Sequence, residues 1–484
     1  MDGIGMGKKQ IWNPYLPEYE YVPDGEPHVF GDRIYLYGSH DRFGGKKFCM
    51  NDYICYSAPV HALHDWRYEG VIYKKTQDPR MAGGDHELWA PDVVRGRDGR
   101  YYLYYCPDDT IRSIGVAVCD TPAGRYEFLG IVQDKNGEFV GERQGDTIQF
   151  DPGIFMDSDG KIYLYSGNGP RTGREIGKEP KASVVMQLEE DMLTIKTEPV
   201  KLLPVLGEAD GTGFEGHEFF EASSIRKIEN RYYLVYSSVK LHELCYAVSD
   251  YPDRGFSFGG VLISNCDIFE GSQDEAKNCY GNNHGGMEKI DGQWYLFYHR
   301  QTNRTMFSRQ GCAEKIRILP DGSIPQVEMT SQGLNGMPLA GKGSYPAGMV
   351  CNLYGRYKPA ISHPLAMGNR HPYLTQDGPD YVPEASCNKP VQYITNGKKG
   401  MTAVYRYFDF RDIREIEIVV RGIARGKMIV KISGEDEPAG ETKVMPSRKW
   451  VKYRMAVRIP DGKAALYFVY EGCGKIDFLK FTLI

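Results

Sequence analysis

The chain contains no run approaching 18 consecutive apolar residues, which excludes a helical membrane span. Neither charge sign is in surplus: 59 Lys+Arg against 64 Asp+Glu leave −5, so there is no nucleic-acid footprint and no polybasic membrane patch. The eleven cysteines (Cys49, Cys55, Cys106, Cys119, Cys245, Cys266, Cys279, Cys312, Cys351, Cys387 and Cys473) stand singly, without a CxxC pair or a Cys/His zinc spacing. That pattern predicts reduced, mostly buried thiols. The start, MDGIGMGKKQIWNPYLP, lacks the apolar core of a secretory signal, and the expectation is a cytoplasmic protein. The glycines of GNGPRTGRE (167–175) miss the spacing of both phosphate-binding fingerprints and are read as a loop.

Tyrosine, by contrast, is plentiful at 35 residues, and 56 glycines punctuate the chain, a composition that suggests an all-β protein. At 484 residues there is room for two all-β domains. One phrase recurs five times: DRIYLYGS, DGRYYLYY, DGKIYLYS, ENRYYLVYS and DGQWYLFYH. Each pairs a turn with an alternating aromatic strand, the signature of a hairpin. Aligned on the aromatic before the central Leu, the copies fall at Tyr35, Tyr102, Tyr163, Tyr233 and Tyr295, at intervals of roughly 60–70 residues. A short strand precedes each phrase and others follow it, so the unit is three or four antiparallel strands. Such a unit cannot cover its own faces, and radial closure of five copies protects every edge. The reading is a five-bladed β-propeller over 1–335. A Gly/Pro-rich linker follows at 336–349, and a β-sandwich of jelly-roll type occupies 350–484.

In a propeller the innermost strand of each blade begins at one mouth of the channel. Counting back 11 or 12 positions from the aligned aromatics gives Asp24, Ala90, Asp151, Glu221 and His284. Turn formation accounts for an Asp at such a place, but not for Glu221, which lies between Phe219-Phe220 and Ala222. Three acids on one pore cannot all ionise freely, so at least one becomes a proton donor near neutral pH. A protonated acid facing an ionised one is the apparatus of glycoside hydrolysis. Trp89, Phe43 and Phe220 lie near the same mouth and offer faces for sugar rings. His217, His242 and His299 either line a site or are simple surface histidines, and the second reading is favoured.

PDGEPHVFGDRIYLYGSHD, LWAPDVV, FDPGIFMDSDGKIYLYSG, FFEASSIRKIENRYYLVYS and NNHGGMEKIDGQWYLFYHR together resemble glycoside hydrolase family 43 over about residues 12–325. The resemblance implies an inverting five-bladed enzyme acting on arabinose- or xylose-containing glycans. Asp24 then corresponds to the general base, Glu221 to the general acid and Asp151 to the carboxylate that raises the acid's pKa. Trp89 corresponds to the aromatic wall of the terminal-sugar subsite, with Phe43 a second wall, and Arg309 to an arginine that hydrogen-bonds sugar hydroxyls. His284 corresponds to a channel histidine contacting a hydrated structural calcium, while the chemistry itself requires no cofactor. The expected partner is an oligosaccharide.

The resulting expectation is an exo-acting α-L-arabinofuranosidase, with β-xylosidase, exo-galactosidase and a non-catalytic sugar-binding propeller as alternatives. A retaining fructan hydrolase would want Asn-Asp-Pro where Pro23-Asp24-Gly25 stands. For an inverting pair, Asp24 and Glu221 are expected roughly 6.5–9.5 Å apart. The C-terminal unit is similar to family 6 carbohydrate-binding modules in strand pattern and in its closing KIDFLKFTL. Two roles stay open for it: sugar binding through Trp450, Tyr393 or Tyr405, or packing on the propeller and shaping the rim of the site.

Overall fold

The computed structural model describes residues 10–108, 110–272, 275–383, 386 and 388–484. Four of the repeats fold into four-stranded antiparallel blades and the fifth into three strands. The innermost strands are Glu26–Phe30, Leu88–Arg95, Gly153–Met156, Phe219–Ile228 and Met287–Ile290. Each is hairpinned to its aromatic strand: Arg33–Tyr37, Tyr101–Pro107, Ile162–Gly167, Arg231–Ser238 and Gln293–Gln301. The turn chemistry is what the sequence requires. Asp291 (φ 47°) and Gly292 (φ 81°) both occupy the left-handed region, as a two-residue I′ hairpin demands.

Ring closure uses a side chain where a strand is missing. Among the described residues the third strand of blade five, Arg309–Lys315, has no fourth strand beside it; Asn13 of the N-terminal segment lies there instead. Asn13 Nδ2 donates to the carbonyls of Ala313 and Thr330 and to Glu314 Oε1, each at 3.0 Å, and its Oδ1 accepts the Ala313 N–H at 3.0 Å. A buried amide thus satisfies both backbone groups of one strand residue. Gly25 and Gly285 form a parallel bridge that joins blade one to blade five.

The second domain is a sandwich of two six-stranded sheets. Met401–Phe410, Gly462–Cys473 and Arg425–Ile432 form the middle of one; Val391–Gly397, Ile476–Leu483 and Glu415–Gly422 form the middle of the other. Phe408, Phe468, Phe478 and Phe481 interlock between them, all with no solvent exposure. The stretch read as a linker is partly built into this domain. Leu339–Ala340 pairs with Met401–Phe410, and Gly343–Pro346 with Ile476–Leu483. Its Gly and Pro residues serve short edge strands rather than a tether.

The ten described cysteines are free thiols, seven of them buried, while Cys387 lies outside the described residues. Among the described residues no helix is long and apolar enough to cross a membrane.

Candidate active site

Asp24 and Asp151 stand just before the inner strands of blades one and three, and Glu221 lies near the start of the blade-four strand. Asp24 (φ 56°) and Asp151 (φ 44°) take left-handed backbone, and so does Ala222 (φ 71°), immediately after Glu221. Such conformations cost energy in non-glycine residues and persist where the surroundings over-determine them. All three acids line one cavity of about 470 Å³ together with His284, Arg309, Trp89, Phe48, Phe150 and Phe220. Each acid is nearly excluded from solvent, at 3%, 5% and 9% exposure in chain order.

One pleat deeper, two residues along each inner strand, the same faces carry Glu26, Asp92 and Gly286. Arg226 pairs with Glu26 at 2.7 Å, and Asp92 takes His28 at 2.6 Å and the Ile154 N–H at 2.8 Å. A Cβ on Gly286 would meet Glu26 Oε2 at 2.4 Å and Ser224 Oγ at 2.6 Å, so only glycine lets these groups close together. Glu26 and Asp92 are thus both buried and paired with a basic side chain.

The three carboxyls have different surroundings and different charge states. Burial pushes Asp24 up, but Arg309, whose Nη1 donates to Asp24 Oδ1 at 2.8 Å, outweighs it. Asp24 is held well below the usual carboxylate range and is ionised. For Glu221 the balance is reversed: burial, then the charge of Asp151, push it up to about 8 against the weaker pull of His284 and Arg309. Asp151 is itself raised by burial, against the pull of His284, whose Nδ1 lies 3.4 Å from Asp151 Oδ2. Burial would lower His284, yet Asp151 draws it up to about 9. Near neutral pH the cavity therefore holds an ionised Asp24 and a protonated Glu221, set apart by their neighbours.

Trp89 stands in the pocket wall, edge-on to Phe150 at 5.2 Å. Phe43 does not line the pocket. Its ring packs on Tyr21 at 5.4 Å, and the aromatic that the same loop sends inward is Phe48. Arg309 reaches the pocket, but its hydrogen bonds go to protein groups: Nε and Nη2 fork onto Asp41 at 2.9 Å each, Nη2 also donates to Cys49 Sγ at 3.2 Å, and Nη1 holds Asp24. The loop 168–181 supplies Asn168, Arg171, Glu175, Glu179 and Lys181 to the opposite rim.

The three histidines read as surface residues are otherwise placed. His299 is fully buried against Asp24, and His217 is buried and paired with Glu243 at 3.0 Å. His242 is half-buried, with Nδ1 2.9 Å from Ser264 Oγ. His299 carried a signal in the repeat. It lies four residues after the aligned aromatic of blade five, the place where blade two carries Cys106. Cys106 Sγ accepts the Asp151 N–H at 3.3 Å as His299 Nδ1 accepts that of Asp24 at 3.4 Å. In both cases the second strand of one blade backs the acid of the next.

Calcium takes roughly six to eight oxygen ligands, and His284 offers one nitrogen turned to Asp151. Among the described residues, the two groups with metal-ligand spacing are Glu26/His28/Asp92 and His217/Glu243/Cys245, neither of which includes His284. The side chains around His284 do not form a calcium cradle by themselves, and no step below runs through a metal.

A sequence model for the glycosyl hydrolases of family 43 matches residues 21–324. A xylosidase/arabinosidase of Thermoclostridium stercorarium is 50% identical over 481 residues, 98% of this chain and 99% of its own. A xylosidase/arabinosidase of Bacteroides ovatus is 32% identical over 311 residues, 59% of this chain and 87% of its own. Among solved structures, a β-xylosidase/α-arabinofuranosidase from a compost metagenome, in complex with xylotriose, is 26% identical with a TM-score of 0.52, covering 65% of this chain and 97% of its own. An arabinoxylan arabinofuranohydrolase of Bacillus subtilis shares the fold over 97% of both chains, at 20% identity and a TM-score of 0.50. The repeat, the pocket acids and these matches converge: the chain belongs to glycosyl hydrolase family 43.

Proposed function

We propose that the protein is an inverting exo-glycosidase that releases terminal α-L-arabinofuranose or β-D-xylose from hemicellulose-derived oligosaccharides. The observation that carries this reading is the pairing of ionised Asp24 with protonated Glu221 in one pocket. The Thermoclostridium stercorarium relative, aligned along 99% of its length, is named for both sugars.

The terminal sugar sits with its C–H face on Trp89 and Phe48. Asp24 accepts a proton from a water whose oxygen attacks the anomeric carbon. As the glycosidic C–O bond breaks, Glu221 passes its proton to the leaving oxygen. The cycle ends with Asp24 protonated and Glu221 ionised, and proton exchange with solvent restores both. Asp151, linked to His284, keeps Glu221 protonated until the leaving oxygen is in place. Arg309 keeps Asp24 ionised and fixes its orientation.

The test is turnover of 4-nitrophenyl α-L-arabinofuranoside and 4-nitrophenyl β-D-xyloside by the purified protein, and its loss in Asp24→Ala. Tight sugar binding without turnover of any aryl glycoside would make the protein a sugar-binding propeller instead. The oligomeric state does not enter this reading.

A further inference from the structure

The pocket wall contributed by Phe48 belongs to a loop that the propeller does not hold alone. This loop, residues 41–51, joins the second and third strands of blade one. Its base is anchored inside: buried Asp41 accepts the Cys49 N–H at 3.0 Å and the Arg309 fork. Its outer turn, with Arg42, Lys46 and Lys47 exposed, faces solvent. Phe48 lies between the two, 4.8 Å from the Arg309 guanidinium and edge-on to Phe307 at 4.8 Å.

The second domain closes the outer turn. Asp380, three residues past the strand Tyr373–Asp377, accepts the Phe43 N–H on Oδ1 at 2.8 Å and the Asn51 amide on Oδ2 at 3.0 Å. One carboxylate therefore spans both ends of the loop. Asn51 in turn donates to the Asp41 carbonyl at 3.1 Å and accepts Arg42 Nε at 3.1 Å. Neighbouring groups of the same domain grip the segment that leads into Asp24. Gln376 accepts the Tyr21 hydroxyl at 2.7 Å, and Tyr381 packs on Tyr19 at 4.5 Å. Gln376 also donates to the Pro379 carbonyl at 2.8 Å, which fixes the turn that presents Asp380.

We propose that Asp380 is a positioning residue of the active site: by stapling Phe43 to Asn51 it sets the loop that carries Phe48, so the second domain determines part of the wall against which the terminal sugar binds. The side chain touches neither the acids nor the pocket and acts only through the loop. Charge-assisted hydrogen bonds of this kind are stronger than neutral ones. Their loss frees the loop and weakens ground-state and transition-state binding alike, which appears in KM rather than in kcat.

The experiment is steady-state kinetics of the full-length chain on a 4-nitrophenyl glycoside, for Asp380→Ala, Asn51→Ala, Phe48→Ala and the pairwise doubles. Asp380→Ala should raise KM about tenfold with kcat within about threefold of wild type. Asn51→Ala, which attacks the same staple from the propeller side, should do likewise. Adding either to Phe48→Ala should change KM little further, because the loop acts through that ring. Arg406→Ala breaks an interdomain ion pair remote from the pocket, with Asp267 at 2.8 Å, and should lower Tm without moving KM. Wild-type KM in Asp380→Ala and Asn51→Ala, or full additivity with Phe48→Ala, would overturn the role of Asp380. The inference rests on the active-site reading above but fails separately from it, since wild-type turnover with unaltered variants removes Asp380 alone.

Discussion

Arg309 bridges Asp24 to Asp41 from a position with 1% solvent exposure, giving Nη1 to the first and Nε with Nη2 to the second. One guanidinium thus hydrogen-bonds two buried carboxyl groups, one of them the residue assigned as the base. Breaking such a cluster leaves an uncompensated charge, which is why its removal costs more than its presence contributes.

Arg309→Met tests that bridge. As the proposed base, Asp24 must be ionised to accept the proton from water, and without the guanidinium its pKa rises. The acid limb of kcat/KM should move to higher pH, so that activity is lost sooner on acidification, and the rate at neutral pH should fall by about 100-fold or more. An unmoved acid limb would separate Asp24 from the step.

Glu221 gives the opposite limb. As the proposed acid it works in the protonated form, and with its pKa pushed up to about 8, kcat/KM should fall as pH rises through about 8. In Glu221→Ala that limb should vanish. Hydrolysis of a natural oligosaccharide should drop by roughly 10²–10⁴-fold, and that of an aryl glycoside with a good leaving group far less. Equal losses on both substrates would contradict the acid assignment.

The same shift has a sign in stability. The folded-state pKa of Glu221 lies above its unfolded value of 4.5, so its contribution is fully present below about 4.5 and is lost as pH rises through about 8. Glu221→Gln stays neutral throughout. Its Tm relative to wild type should therefore climb between pH 5 and pH 9, and a constant difference would argue against a protonated Glu221.

Asn13 stands in for a missing strand, and Asn13→Ala strips partners from the Ala313 N–H and C=O at the closure of the ring. The expected loss is about 2–4 kcal/mol of unfolding free energy, measured by denaturant titration. A change under about 0.5 kcal/mol would mean that the ring closes by other contacts.

The repeat made much of this molecule legible in the sequence. Because Tyr35, Tyr102, Tyr163, Tyr233 and Tyr295 mark equivalent places in five hairpins, counting back from them located Asp24, Asp151, Glu221 and His284, which the ring then gathers on one pocket. The same alignment held His299 four residues past Tyr295, but a lone histidine on a buried strand looks like any other until the neighbouring blade is placed beside it. Phe48 and Phe43 share a Gly-rich loop, and nothing in its spacing tells which ring turns inward. Asp41 and Arg309 are 268 residues apart and Asp380 lies 337 residues from Phe43, pairings that depend on tertiary closure rather than on any local pattern. The 339–346 stretch misled for the opposite reason: its Gly and Pro content reads as a tether, whereas edge strands tolerate both residues.

The configuration of the first-formed sugar tests the central claim most directly. If Asp24 activates a water while Glu221 protonates the departing oxygen, proton NMR in the first minutes of hydrolysis should show α-D-xylose from a β-xyloside, or the β-furanose from an α-L-arabinofuranoside, before mutarotation. Release of the starting anomer would require two displacements through a glycosyl-enzyme, and Asp24 would then be a nucleophile rather than a base.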